Sequence, residues 1–155
     1  MKEKYYKWEP VKGIEKEMWV EAIHDDYEGL RILLKGSTIS SIMLSVNFSH
    51  YYMYCNVDES YRIKLWDEGE FDERNWSLYR TSSSRLIDWL FYECGGILNK
   101  DEIVHYLIKT GADVIEIITN QEPPNIKWLN APISSADNSG VLVKLGKKGT
   151  YYDKA

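Results

Sequence analysis

Apolar and polar residues alternate along much of this chain, which is the period of a strand with one buried face. Ile42, Leu44, Val46 and Phe48 alternate with Met43, Ser45 and Asn47, and this stretch is the firmest strand in the sequence. Upstream, Trp19–His24 and Leu30–Lys35 flank the short connection Tyr27-Glu28-Gly29, so the two segments read as a hairpin, closed by Gly36-Ser37-Thr38. His50–Cys55 is aromatic and β-prone, and reads as a partner of the 42–48 strand. Tyr61–Trp66 reads either as an alternating strand or as a short helix that Asp58 caps through its carboxylate. Asp67–Asn75 reads as an acidic loop and Trp76–Arg80 as a further strand.

One segment has helical spacing. Leu86, Ile87, Leu90, Phe91 and Cys94 form a single apolar stripe behind Ser82-Ser83-Ser84, whose hydroxyls suit an N-cap, and Gly95-Gly96 supplies the positive φ that ends a helix. Ile103–Ile108 and Val114–Ile118 then flank Thr110-Gly111-Ala112-Asp113 as a hairpin. Pro123-Pro124 removes two ladder donors and sends Asn125–Trp128 to the surface or to a sheet edge. Val141–Leu145 and Thr150–Tyr152 read as a late hairpin around Gly146-Lys147-Lys148-Gly149. The predicted fold class is α+β, a mostly antiparallel twisted sheet packed against one main amphipathic helix at about residues 84–94. With 155 residues and no internal repeat or Gly/Ser linker, the chain is expected to form one domain over 1–155, with order weakest at residues 1–12 and 146–155.

Composition adds an aromatic excess of 6 Trp, 12 Tyr and 3 Phe, suited to sheet surfaces and to binding surfaces alike. Charged residues and aromatics interrupt the N-terminal stretch Met1–Trp8, and no apolar run reaches the length of a membrane span, so a soluble cytoplasmic protein without membrane association is expected. Two isolated cysteines, Cys55 and Cys94, rule out a disulfide framework and a multi-thiolate zinc site. The formal charge of −5 is uneven: residues 18–140 hold 10 basic and 19 acidic residues. Such a field repels nucleic acid and attracts a basic protein.

No phosphate-cradling loop, nucleophile elbow or zinc-binding histidine pair is present, so no catalytic residue, metal site or cofactor is assigned. Two candidate sites follow from side-chain chemistry. The first is a partner-binding surface of Tyr52, Tyr54, Trp66, Asp67, Glu68, Glu70, Asp72 and Glu73, where aromatics beside carboxylates receive the Lys or Arg of a basic partner. The second is a polar site of His24, Asp26 and His50, in which a carboxylate orients an imidazole and raises its pKa. His105, inside an apolar strand, reads as a structural histidine.

The run Ser84 to Trp89, His105-Tyr106 with Ile108 and Thr110, Val114-Ile115-Glu116-Ile117 and Pro123-Pro124 together resemble small uncharacterised proteins of Gram-positive bacteria. Some proteins of that build resemble immunity partners of polymorphic toxins. The resemblance covers about half of the chain and brings no catalytic residues with it. What it implies is a non-enzymatic antagonist of a protein partner. A small-ligand-binding protein or enzyme with a Tyr/Trp/His-lined pocket, and a subunit of a larger assembly, are the alternative expectations.

Overall fold

The alternating segments assemble into two sheets that share a core, in a computed structural model that describes residues 2–39 and 41–130. The chain runs β1 (Lys4–Lys7), β2 (Met18–Asp26), β3 (Gly29–Gly36), β4 (Ile42–Phe48), β5 (Met53–Asp58), α1 (Ile63–Glu68), β6 (Glu70–Phe71), β7 (Leu78–Thr81), α2 (Arg85–Glu93), β8 (Val104–Lys109), β9 (Asp113–Thr119) and β10 (Asn125–Asn130). The larger sheet has the order β5-β9-β8-β7-β1-β6 and the smaller β10-β4-β3-β2. Every pairing is antiparallel except β1 with β6.

The expected single sheet is therefore two. Strand β5 pairs with β9 and not with β4, although it follows β4 closely in sequence. The edge of β4 is occupied by β10, in register from Asn125 opposite Asn47 to Asn130 opposite Ile42. Pro123 and Pro124 stop the ladder just before this edge strand, where missing amide donors cost nothing. A second difference is β1: a four-residue strand rich in lysine lies inside the larger sheet between β6 and β7, because Tyr5 is fully buried and Trp8 nearly so. Tyr61–Trp66 resolves as helix. The Asp58 carboxylate accepts the Ser60 amide at 2.9 Å and starts a short 3-10 turn, Glu59–Tyr61, that leads into α1.

Register parity shows what each face of the larger sheet buries. Tyr106 and Ile117 face the smaller sheet, where Phe48 lies 5.4 Å and Trp8 4.7 Å from Tyr106, ring centre to ring centre. Leu30, Ile32 and Leu34, paired with Phe48, Val46 and Leu44, supply the opposing layer, all fully buried. The other face of the larger sheet carries Cys55, Glu116, His105 and Thr81 and lies under the helices. Helix α2 begins as its sequence implies: Ser84 Oγ accepts the Ile87 amide at 3.1 Å, and Gly95 and Gly96 end the helix at φ of 64° and 79°. Its Ile87 packs on Ile103 and Ile118. The hairpin predicted at Val141–Leu145 and Thr150–Tyr152 lies outside the described residues.

A groove between the helices with a charged floor

A strand that is apolar on both faces has little tolerance for a charge, yet β9 carries Glu116 in the middle of Val114–Ile118. Glu116 is only 2% exposed. Its charge is met from above: Arg62, at the entry to α1, pairs with Oε2 through Nη1 and with Oε1 through Nη2, the latter at 3.2 Å. A second buried carboxylate, Glu3, lies just ahead of β1. It accepts the Arg85 amide at 2.9 Å, the Arg85 Nε–H at 3.0 Å and the Tyr5 hydroxyl at 3.3 Å. Burial first, and then the neighbouring Glu3 charge, push the Tyr5 phenol upward, so Tyr5 remains a donor.

These two ion pairs form the floor of a groove of about 380 Å³ between α1 and the start of α2, with Leu65, Leu86 and Trp89 as apolar walls. Cys55 reaches Glu116 from β5, its Sγ 3.8 Å from Oε2, and burial holds the thiol above its ordinary pKa. Behind the floor sits His105, fully buried, with Nδ1 2.9 Å from Ser84 Oγ and Nε2 3.3 Å from Glu116 Oε1.

Ser84, His105 and Glu116 have the composition of a nucleophile, a base and an orienting acid. Their surroundings give them a different task. Ser84 is fully buried and already caps α2, the Glu116 charge is committed to Arg62, and the groove lining includes neither Ser84 nor His105. No substrate atom reaches the hydroxyl in this arrangement. The row is a strut that ties α1 and α2 to β8 and β9, and His105 is the structural histidine its sequence context implies.

The expected acidic and aromatic surface is distributed over both edges of the larger sheet. Tyr52 and Tyr54 lie at β5, Tyr52 against the α2 cluster and Tyr54 edge-on to Tyr51 at 5.5 Å. Trp66, Asp67, Glu68, Glu70, Asp72 and Glu73 lie at the β6 end. Trp66 is half-buried against Phe71, with the Lys109 ammonium 5.0 Å above its ring. Several of the acids have internal partners: Glu68 with Lys64 and Arg85, Glu70 with Lys2, Asp72 with the Lys7 amide and Glu73 with the Asn75 amide. Asp67, Glu68, Glu70 and Asp72 nevertheless share one shallow depression with Lys2, Lys4 and Arg74.

The polar site of His24, Asp26 and His50 takes a different form from the one expected. The register shift between Val20 and Ala22 places His24 and Asp26 on one outer face with Arg31 opposite His24. Arg31 takes the carboxylate, with Nη2 2.6 Å from Asp26 Oδ2. Burial and then the Arg31 charge lower the His24 pKa, against the expected rise. His50 lies beyond β4, its amide donating to Gln121 and its ring edge-on to Tyr52 at 5.0 Å. The neighbouring Asp25 instead accepts the Tyr51 hydroxyl at 2.7 Å, a bond that is the main cause of a phenol pKa of about 12.

Neither floor carboxylate is among the candidate site residues read from the sequence. Glu3 gives no local signal, but Glu116 gives one, since a carboxylate inside an apolar strand demands a cation from elsewhere in the chain. Arg62, Arg85 and Trp89 belong to the site only through the packing of α1 and α2. No protein-family model, curated protein or solved structure matches this chain. Among the described residues no cluster of His, Cys, Asp and Glu has the arrangement of a metal site, and no helix is long and apolar enough to cross a membrane.

Proposed function

We propose that this chain is a non-enzymatic binding protein whose partner is a basic protein, and that it acts as an immunity-type antagonist. The observation that carries the reading is the acidic depression after α1, where Asp67, Glu68, Glu70 and Asp72 are all exposed. Its internal cations are weak competitors. Lys2 and Lys64 are 72% and 79% exposed, and solvent screening leaves ion pairs this exposed with little net strength, so a partner's Lys or Arg can replace them. Exposed Tyr61 and Ile63, next to this acidic segment, supply apolar contact area. The immunity role rests on the sequence resemblance.

The test is capture of the partner from lysate of the native cells at low and high salt, with the wild-type chain and with Asp67→Lys/Glu70→Lys. Both positions are exposed, and among the described residues neither side chain accepts a backbone amide. A stoichiometric basic protein held by the wild type at low salt, and lost both at high salt and in the double variant, is the expected result. A partner that both forms retain equally at high salt overturns the reading.

A further inference from the structure

The groove between α1 and α2 presents hydrogen-bond donors where the acidic depression presents carboxylates. Its lining carries Arg62, Lys64 and Arg85 against Glu3 and Glu116, and Glu68 at its rim pairs with Lys64 at 3.1 Å and with Arg85 at 3.3 Å. Cys55 adds no negative charge, because burial keeps its thiol protonated. The guanidiniums are held from beneath by carboxylates that are 7% and 2% exposed, so they stand in place before any ligand arrives. After those pairings Arg62 Nε and Arg85 Nη1 have no hydrogen-bond partner among the described residues, and Lys64 is held only by the exposed Glu68. Above these donors rise Leu65, Leu86 and Trp89, the indole half-exposed at 51%.

We propose that this groove binds a small organic carboxylate with an apolar body, the carboxylate meeting Arg62, Arg85 and Lys64 and the body lying against Leu65, Leu86 and Trp89. The volume of about 380 Å³ falls within the span of small-molecule sites, roughly 300–1,000 Å³. A planar carboxylate matches the fixed fork of a guanidinium better than a point charge does. The guanidinium N–H groups left at Arg62 Nε and Arg85 Nη1 select an acid over an amine of the same shape, because an ammonium has no lone pair to accept them. Rigid donors lower the ordering cost of binding, whereas neutralisation of the cations by Glu3, Glu116 and Glu68 weakens binding and makes it salt-sensitive. This inference does not depend on the protein-partner reading, and either can fail alone.

The experiment is titration of the full chain with phenylacetate, indole-3-acetate and octanoate, followed by the backbone, Trp89 indole and arginine Nε–H resonances. Phenylacetamide and 2-phenylethylammonium, of nearly the same shape, serve as the neutral and cationic controls. Saturable shifts confined to the groove with at least one acid below about 10 mM, and at least tenfold weaker binding of the amide and the amine, are expected. Lys64→Gln and Trp89→Ala, both at exposed positions, should each weaken the acid several-fold while leaving the remaining spectrum in place. Equal binding of acid and amide, tighter binding of the amine, or no saturable shift with any of the three acids overturns the proposal.

Discussion

His105 on β8 and Glu116 on β9 are diagonal neighbours on the same sheet face, their Nε2 and Oε1 atoms 3.3 Å apart with both side chains closed off from water. A carboxylate at that distance ordinarily favours an imidazolium. Here Arg62 has already taken the Glu116 charge, so the histidine stays neutral, its pKa driven down to about 3 first by burial and then by Arg62.

That neutrality makes stability pH-dependent. Between the ordinary histidine value of 6.5 and about 3, the unfolded chain binds a proton at His105 that the folded chain refuses. The His105 contribution is therefore fully present above pH 6.5 and declines as pH falls, by up to about 1.4 kcal/mol per pH unit inside the window. The lowered pKa of His24 acts in the same direction. Urea midpoints of the wild type and of His105→Gln at pH 7 and pH 5 separate the two: the variant should show a shallower decline. Parallel declines would mean that His105 is protonated in the folded chain.

Ser84 serves two partners at once. Its Oγ accepts the Ile87 amide at 3.1 Å and lies 2.9 Å from His105 Nδ1. Ser84→Ala removes the cap of α2 and leaves a buried ring nitrogen without a partner. Together these should cost about 2–4 kcal/mol in chemical denaturation. Ser82→Ala, at an exposed position two residues earlier, should cost clearly less. Equal losses would show that the hydroxyl at 84 has no special role.

The Arg62–Glu116 pair should be costly to break and cheap to replace. Arg62→Met alone leaves the Glu116 carboxylate buried without its cation, which should cost about 3–5 kcal/mol. Arg62→Met/Glu116→Met removes both charges and keeps apolar volume under α1, so the double variant should be more stable than Arg62→Met. A double-mutant cycle in urea measures this, and additive losses would mean that the pair is not coupled.

These side chains mark where sequence stops determining structure. The local devices were legible because their physics is local: the alternation in β4, the Ser84 cap with Gly95-Gly96 behind α2, and the β8–β9 hairpin all depend on residues close together in the chain. Which strand lies beside which is set by distant segments. His50–Cys55 has the same β-prone composition whether it pairs with β4 or β9, and only burial of Met53 beside Ile118 on the α2 face distinguishes the two. Lys4–Lys7 has no strand periodicity beyond Tyr5, and its place in the sheet comes from β6 and β7, which are more than sixty residues away. The groove floor inherits this non-locality, since Glu3, Arg62, Arg85 and Glu116 meet only after β1, both helices and β9 have packed. The acidic run was visible as charge, but its internal pairing with Lys2, Lys64 and Arg85 was not.

Gly95 and Gly29, two of the positive-φ glycines, differ in a way that stability measurements resolve. Gly95 has φ of 64°, a value asparagine also adopts, and a Cβ there meets nothing within 4 Å. Gly95→Ala should therefore cost only about 1–2 kcal/mol, the usual left-handed penalty, and Gly95→Asn less. Gly29 opens β3 with φ of 109°, outside the left-handed well, and a Cβ would sit 2.3 Å from the Phe48 carbonyl oxygen and 2.9 Å from Ser49 Cα. Neither atom can swing away, because both belong to the backbone around the Leu30–Phe48 pairing of β3 with β4. Gly29→Ala should cost on the order of 3 kcal/mol or more, and Gly29→Asn should give no relief. Thermal or urea unfolding of the four variants decides it: a Gly29→Ala loss no larger than that of Gly95→Ala would mean that the β2–β3 turn does not hold this close approach to β4.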